Sequence, residues 1–297
     1  MTKNIKFRLI RVLANISFVR KVIASLVKIT RGNFERSDLA REELIQLKKS
    51  NLKDIAKQVK QDGYSVDLKL SPAVVNEIFY FCNTQPCYAL RNPRWGFYLK
   101  DLKLAEEAIG KNILLAQYFN AQDELPILDK VIRSPVIHAI TQQYLGNRYK
   151  FVGCNLWWTF PTRASEEDRK KHAHYFHRDV DDFKFIKFFF YITDVDESSG
   201  PHVFVKGSHN RCKENKWKNL FRNRRYEDSE IVELYGEQSI IEMLGNSGDV
   251  IIEDTYGFHK GSTPISSPRL IFQIQFALFD YGVQNDTIDK LELIIKD

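Results

Sequence analysis

Apolar residues in the first 31 positions recur at helical spacing, with Ile5, Leu9, Val12, Leu13, Ile16, Val19, Ile23, Leu26 and Val27 forming the repeat. The pattern stays helical from Ser37 to Gly63, where Asp62-Gly63 marks a turn before a short strand through Val66. Ser71-Pro72 opens a further helix with a capping residue and a proline at its first position, and another helix follows Pro135 and stops at Gly146. After Tyr149 the period shortens. Apolar runs at 151–160, 175–180, 184–193, 202–206, 249–254 and 269–280 are separated by turns, as antiparallel strands of a sandwich or barrel are. A charged segment from Asn210 to Tyr235, predicted helical, interrupts them. The expectation is a mainly β protein with N-terminal helices, divided into a basic helix at 1–31, a helical part at about 32–149 and a β core at about 150–282.

Composition supports a folded chain. Of 297 residues 43% are hydrophobic, and 21 Phe, 13 Tyr and 4 Trp supply more buriable surface than a disordered chain holds. No run approaches the ~18 apolar residues a bilayer span needs. The net charge of +6 is unevenly spread: Lys3, Lys6, Arg8, Arg11, Arg20, Lys21, Lys28 and Arg31 meet no acid in the first 31 residues, so the rest of the chain is mildly acidic. A body without a basic stripe argues against nucleic acid as a partner. The N-terminal segment reads as an amphipathic helix that contacts a membrane surface or a protein partner, or packs on the body with its charges solvated; a transit peptide is a third reading. Cys82, Cys87, Cys154 and Cys212 show no paired metal spacing and fit a reducing setting, so a cytoplasmic location is expected, with membrane association through the N-terminal helix.

The densest group of metal-binding side chains is His172-Ala173-His174-Tyr175-Phe176-His177-Arg178-Asp179. On an extended strand His177 and Asp179 share one face, with His172 and His174 on the other. Alone, a His-x-Asp triplet is more often a polar surface strand than a site. Three features raise it: the buried-looking strand Asp249–Thr255 leads to His259 between two glycines, Arg269 opens an otherwise apolar strand and demands a partner, and sharp turns at Glu197–Pro201 and Lys206–His209 separate the two regions. Two imidazoles and one carboxylate leave three positions open in an octahedral shell, the arrangement of non-haem Fe(II) oxygenases. No His-Glu-x-x-His helix, phosphate-binding loop or Gly-x-Ser-x-Gly elbow occurs. Asp194-Val195-Asp196 has the form of a cation site for sugar nucleotides but lacks a preceding βαβ pattern, and a non-catalytic barrel holding metal or 2-oxoglutarate is the remaining rival.

His177-Arg178-Asp179, Asp194-Val195-Asp196 through Gly200-Pro201, Gly207-Ser208-His209, and His259 followed by Arg269 resemble the phytanoyl-CoA dioxygenase family of Fe(II)/2-oxoglutarate-dependent oxygenases, over about Asp62 to Phe279. The resemblance implies an oxygenase domain over 32–297 with a double-stranded β-helix core of jelly-roll or cupin type. It implies that His177, Asp179 and His259 bind iron and that Arg269 binds the distal carboxylate of 2-oxoglutarate, with O₂ as the other co-substrate. The implied reaction is hydroxylation of a C–H bond in a small-molecule metabolite or one of lipid or saccharide type, yielding succinate and CO₂. Phe189 matches a position whose ring flanks the co-substrate in relatives, and Asn155 is a further candidate contact. Trp157, Lys187, Tyr191 and Gln273 are candidate lining residues; His172, His174, His202 and His209 are expected at turns or the rim. Ile271 departs from the family's hydroxyl residue two positions after the arginine, for which Ser262 or Thr263 is a candidate substitute, and Thr162–Lys171 is a candidate lid. The retained Asp179 argues against a halogenase. The prime substrate is not legible, because variable loops contact it.

Overall fold

The computed structural model describes residues 2–28, 43–211, 224–280 and 287–295. Two helices, α1 (Thr2–Asn15) and α2 (Ser17–Lys28), come first, followed by β1 (Ile45–Leu47), α3 (Leu52–Asp62), β2 (Tyr64–Leu70), α4 (Pro72–Thr84), β3 (Cys87–Ala89) and β4 (Gly96–Phe97). Then come α5 (Leu102–Ile109), β5 (Leu115–Tyr118), α6 (Ala121–Glu124), α7 (Pro126–Ile132), α8 (Pro135–Leu145), β6 (Lys150–Thr159) and α9 (Glu166–Lys171). The remainder is β7 (Phe185–Tyr191), β8 (His202–Val205), α10 (Asp228–Tyr235), β9 (Ile240–Met243), β10 (Asp249–Glu253), β11 (His259–Gly261) and β12 (Arg269–Ala277).

A nine-stranded antiparallel sheet in the order β1-β2-β10-β7-β12-β6-β5-β3-β4 lies against a three-stranded one, β11-β8-β9. Alternation gives the central strands two different faces. Phe188 and Phe190 of β7, Val250 and Ile252 of β10, Phe272, Ile274 and Phe276 of β12, and Leu156 and Trp158 of β6 join the core that includes Ile55, Ile78, Leu128 and Ile140 of the helices. The opposite face presents Phe189, Tyr191, Ile251 and Ile271 to Phe204 and Met243 of the small sheet. Because both faces are covered, every residue of β12 is buried, and its polar members Arg269, Gln273 and Gln275 all fall on the small-sheet side.

Several expectations need correction. The segment expected to be helical from Ser37 contains β1, and α3 starts only after Asn51, whose side chain accepts from the Lys53 and Asp54 amides; residues 29–42 lie outside the described residues. The first part of the chain supplies five strands to the large sheet as well as helices. Residues 175–180 are not a strand: only Phe176 and His177 make isolated bridges, to Tyr226 and His259. The strands β9 and β11 were not anticipated, being three or four residues long without apolar alternation. Of the charged segment from Asn210, residues 212–223, including Cys212, lie outside the described residues, and α10 forms its end.

The N-terminal segment is two helices that break at Ile16. Ile10 and Ala14 are buried, and Arg20 of α2 lies over the Tyr256 ring, 3.5 Å from its centroid, with Nη2 3.5 Å from Asp254 Oδ2. Leu9, Leu13 and Ile16 along α1 and Phe18, Val22 and Leu26 along α2 remain exposed. No helix among the described residues is long and apolar enough to cross a membrane.

Candidate metal and co-substrate site

His177 and His259 come together because their backbones pair: each amide donates to the other residue's carbonyl at 3.0 Å, and the rings lie 4.2 Å apart between centroids. Each imidazole is oriented from behind. His177 Nδ1 lies 3.0 Å from Tyr175 O, and His259 Nδ1 lies 3.0 Å from Gly257 O. A carbonyl only accepts, so each Nδ1 carries a proton, and in the neutral ring each Nε2 is left with a lone pair for a metal. Both Nε2 atoms face Asp179, at 3.7 Å for His177 and 3.4 Å for His259. Asp179 is fixed in turn, its amide donating to Thr255 O at 2.9 Å. One ligand atom from each of the three residues lies within 4.8 Å of the others.

Lys187 of β7 lies behind Asp179, with Nζ 2.7 Å from Oδ2 and 3.6 Å from Asp181 Oδ2. Burial pushes the Asp179 carboxyl up, but the Lys187 ammonium and the His259 imidazole outweigh it and hold it well below its ordinary value. The same carboxylates raise Lys187 against its own burial. Burial and the neighbouring His259 push His177 well down, which keeps it neutral. Two neutral-capable imidazoles and one ionised carboxylate form a donor set suited to a divalent transition metal.

These residues lie in a cavity of about 360 Å³. Register explains the rest of its wall: Arg269, Ile271 and Gln273 of β12 pair with Thr159, Trp157 and Asn155 of β6, and all six line it, with Lys187 and Phe189 of β7 alongside. Gln273 Nε2 lies 3.5 Å from Asn155 Oδ1. Tyr191 is set back from the lining; its hydroxyl donates to Met243 O at 2.8 Å and accepts from the His202 amide. Arg269 is 3% exposed, and its Nε and Nη1 are buried without a hydrogen-bond partner among the described residues. A buried guanidinium in that condition is incomplete until an anion meets it. Gly261 makes room for it, since a Cβ there would stand 2.9 Å from Arg269 Nη2.

Three of the four histidines expected at turns or the rim line the cavity instead. Ala173 adopts φ 67°, and this left-handed residue breaks the extended alternation, so His172 and His174 face the same space as His177. His174 Nδ1 pairs with Thr263 Oγ1 at 2.8 Å, so that hydroxyl is engaged by His174. His202 is buried, its ring 4.8 Å from Phe189 and 5.7 Å from His259, with Nε2 2.9 Å from Glu253 Oε2. His209 is buried elsewhere, bonded to Lys60 O. Lys171 of α9 puts the candidate lid segment on the wall, and Arg91 and Arg225 line it too, which the sequence had not singled out. Asp194 and Asp196 serve turns: Asp194 accepts from the Ser247 amide, and Asp196 from the Ser198 and Ser199 amides.

The sequence profile of the phytanoyl-CoA dioxygenase family matches residues 100–269, more than half of the chain, and spans the proposed ligand cluster through Arg269. The chain belongs to the phytanoyl-CoA dioxygenase family. No match to a curated protein was found by sequence. Among solved structures, the chain is similar to SnoK, a non-heme alpha ketoglutarate dependent carbocyclase from nogalamycin biosynthesis, at 15% identity over 78% of this chain and 86% of that one, with a TM-score of 0.51. It is similar to the epimerase SnoN in complex with Fe3+, alpha ketoglutarate and nogalamycin RO, at 16% identity over 76% and 82%, TM-score 0.51. HygX from Streptomyces hygroscopicus, with nickel and 2-oxoglutarate bound, shares 12% identity over 75% and 85%, TM-score 0.50. At these identities the likeness is one of fold. It places this phytanoyl-CoA dioxygenase family member on the same mainly β scaffold, a large antiparallel sheet with helices.

Proposed function

We propose that this family member is an Fe(II)/2-oxoglutarate-dependent dioxygenase that hydroxylates a C–H bond of a small metabolite. The single observation behind the reading is that the His177, Asp179, His259 cluster and the Arg269 guanidinium, whose Nε and Nη1 have no partner among the described residues, line one cavity. His177, Asp179 and His259 would hold the iron, which would supply O₂ activation coupled to decarboxylation of 2-oxoglutarate to succinate and CO₂, with one oxygen atom going to succinate and one to the substrate.

The protein's own part is positional. The Tyr175 and Gly257 carbonyls aim the two Nε2 atoms, and Lys187 occupies one Asp179 oxygen so that the other is offered to the metal. Arg269 would take the distal carboxylate of the co-substrate in a bidentate pair, which selects a dicarboxylate over a monocarboxylate. Phe189, Trp157 and Ile271 supply apolar wall that keeps water from the reacting atoms. The two facing sheets support a double-stranded β-helix of jelly-roll type for about 150–282, with α1–α2 a separate basic element on an oxygenase domain of 32–297.

The exposed apolar rows of α1 and α2, in a segment with basic and no acidic residues, support a peripheral contact with an anionic membrane from a cytoplasmic location. Measuring succinate from 2-oxoglutarate with Fe(II), without and then with a metabolite panel, tests the enzymatic reading. Absence of 2-oxoglutarate binding to the metal-loaded protein overturns it.

A further inference from the structure

The cavity holds more positive charge than the proposed metal and co-substrate use. Among the described residues its wall contains five cations, Arg91, Lys171, Lys187, Arg225 and Arg269, and two carboxylates, Asp179 and Asp181. Lys187 lies between the two carboxylates, Arg269 is assigned to the co-substrate, and a divalent metal cancels a dianionic co-substrate. Among the described lining residues, cations thus outnumber carboxylates by three. His172 and His174 beside them are neutral at pH 7, since burial and nearby cations push them to about 4 and about 3.

Arg225 is aimed at this space by its chain. The Tyr226 amide donates to Phe176 O at 2.8 Å, which pins Arg225 beside the segment that bears His177. Arg225 Nη1 is buried and has no hydrogen-bond partner among the described residues. Arg91 follows β3, near one edge of the large sheet, on a turn where Leu90 and Arg91 both have positive φ, 52° and 61°. That turn, left-handed at two consecutive non-glycine residues, keeps Arg91 on the cavity wall. Lys171 arrives from the last turn of α9.

Resting on the oxygenase reading, we infer that Arg225, Lys171 and Arg91 form a second anion subsite in this cavity and that the prime substrate is a small molecule bearing a phosphoryl group. Two guanidinium forks and an ammonium match a dianionic group with three terminal oxygens, which a single carboxylate would leave underused. A cavity of about 360 Å³ is at the low end for small-molecule sites, so the group recognised is compact.

The test uses the full-length protein loaded with Mn(II) and saturated with 2-oxoglutarate without oxygen, titrated calorimetrically with inorganic phosphate and pyrophosphate. Arg225→Gln and Lys171→Gln should each weaken pyrophosphate binding about tenfold, while 2-oxoglutarate affinity, measured separately, moves less than about threefold. Arg269→Gln should do the reverse. Lys171 lies outside the metal cluster, so its variant keeps the test open if Arg225→Gln misfolds. In succinate assays, glycerol phosphate and hexose phosphates should stimulate turnover where glycerol and the free hexoses do not; stimulation by phosphatidic acid vesicles would place the same phosphoryl group on a lipid. Equal pyrophosphate affinity in wild type and both variants overturns the subsite alone. No 2-oxoglutarate binding to wild type overturns the oxygenase reading, whatever phosphate does.

Discussion

Lys187 Nζ lies 2.7 Å from Asp179 Oδ2, so the proposed carboxylate ligand is held from behind by a cation 7% exposed to solvent. A carboxylate left free in this pocket could rotate, or offer both oxygens to the metal. The ion pair fixes one oxygen and leaves Oδ1 on the side of His177 Nε2.

Lys187→Met keeps the length and removes the charge. It should weaken Mn(II) binding about 10- to 100-fold, the usual cost of losing a partner behind a ligand, and alter the Mn(II) electron paramagnetic resonance line shape. Lys187→Arg should recover part of the affinity. Unchanged metal affinity and spectrum in Lys187→Met would reduce Lys187 to a wall residue.

Gly261 is required by the guanidinium above it, because an added Cβ would come within 2.9 Å of Arg269 Nη2. The end of a side chain can shift where backbone cannot, so Gly261→Ala should fold, retain metal and displace Arg269. A rise of roughly 3- to 30-fold in the 2-oxoglutarate KM is expected from a misplaced bidentate pair. An unchanged KM would show that the arginine is not held in this position.

The parts of this arrangement that were legible in the sequence are those set by local pattern. Alternation along β12 and β6 put Arg269, Gln273, Asn155 and Trp157 on one face and Trp158 on the other, where its Nε1 donates to Tyr118 Oη. His177, Asp179 and His259 could be singled out because metal-binding side chains concentrate there. What the pattern does not contain is the register between sheets. His202 reaches Phe189 and His259 only because β8 pairs with β11, and Arg91 and Arg225 enter from segments far apart in sequence. The inward turn of His172 and His174 depends on one left-handed alanine, a conformation that residue type does not announce.

Acid should destabilise the fold between about pH 6.5 and pH 4. Burial pushes His172 to about 4 and His174 to about 3, so below their ordinary 6.5 the unfolded chain takes up protons that the native one refuses. Stability present above pH 6.5 is therefore lost on acidification, on the order of 3 kcal/mol for each histidine. Asp182 acts the other way: burial raises it to about 7, so its protonation on folding adds stability as pH falls toward 4. Two histidines outweigh one carboxyl. Urea midpoints at pH 4 to 8 should fall toward acid, less steeply in His172→Asn and more steeply in Asp182→Asn. Parallel curves for wild type and His172→Asn would contradict this.

The N-terminal helices should attach the protein to anionic lipid without taking part in chemistry. Ile10, Ala14 and Arg20 face the body, which leaves Leu9, Leu13, Phe18 and Leu26 exposed beside Arg8 and Lys21. Phe18→Ser with Leu26→Ser should abolish co-sedimentation with phosphatidylserine vesicles while 2-oxoglutarate affinity is retained. Binding of wild type should weaken between low and high salt, since its charges are exposed. Salt-insensitive sedimentation equal in wild type and variant would leave α1 and α2 as packing elements alone.

Arg269 separates a 2-oxoglutarate enzyme from any other protein with two histidines and a carboxylate at a metal. Its Nε and Nη1 are buried without partners among the described residues, so the native protein already bears the cost of desolvating the guanidinium. A charge-assisted bidentate pair in such a place is worth roughly 2–5 kcal/mol when one partner is removed, or about 30- to several-thousand-fold in affinity. Arg269→Ala should raise the 2-oxoglutarate dissociation constant by that factor and leave Mn(II) affinity nearly unchanged, because the arginine is not a ligand. Lysine should restore only part, since an ammonium cannot reproduce the fork. The same truncation should stabilise the ligand-free fold or leave it neutral in urea, because a buried charge without a partner disappears. Anaerobic calorimetry with Mn(II) reads the first two quantities in one series. Equal 2-oxoglutarate affinity in wild type and Arg269→Ala would remove the arginine from the co-substrate site.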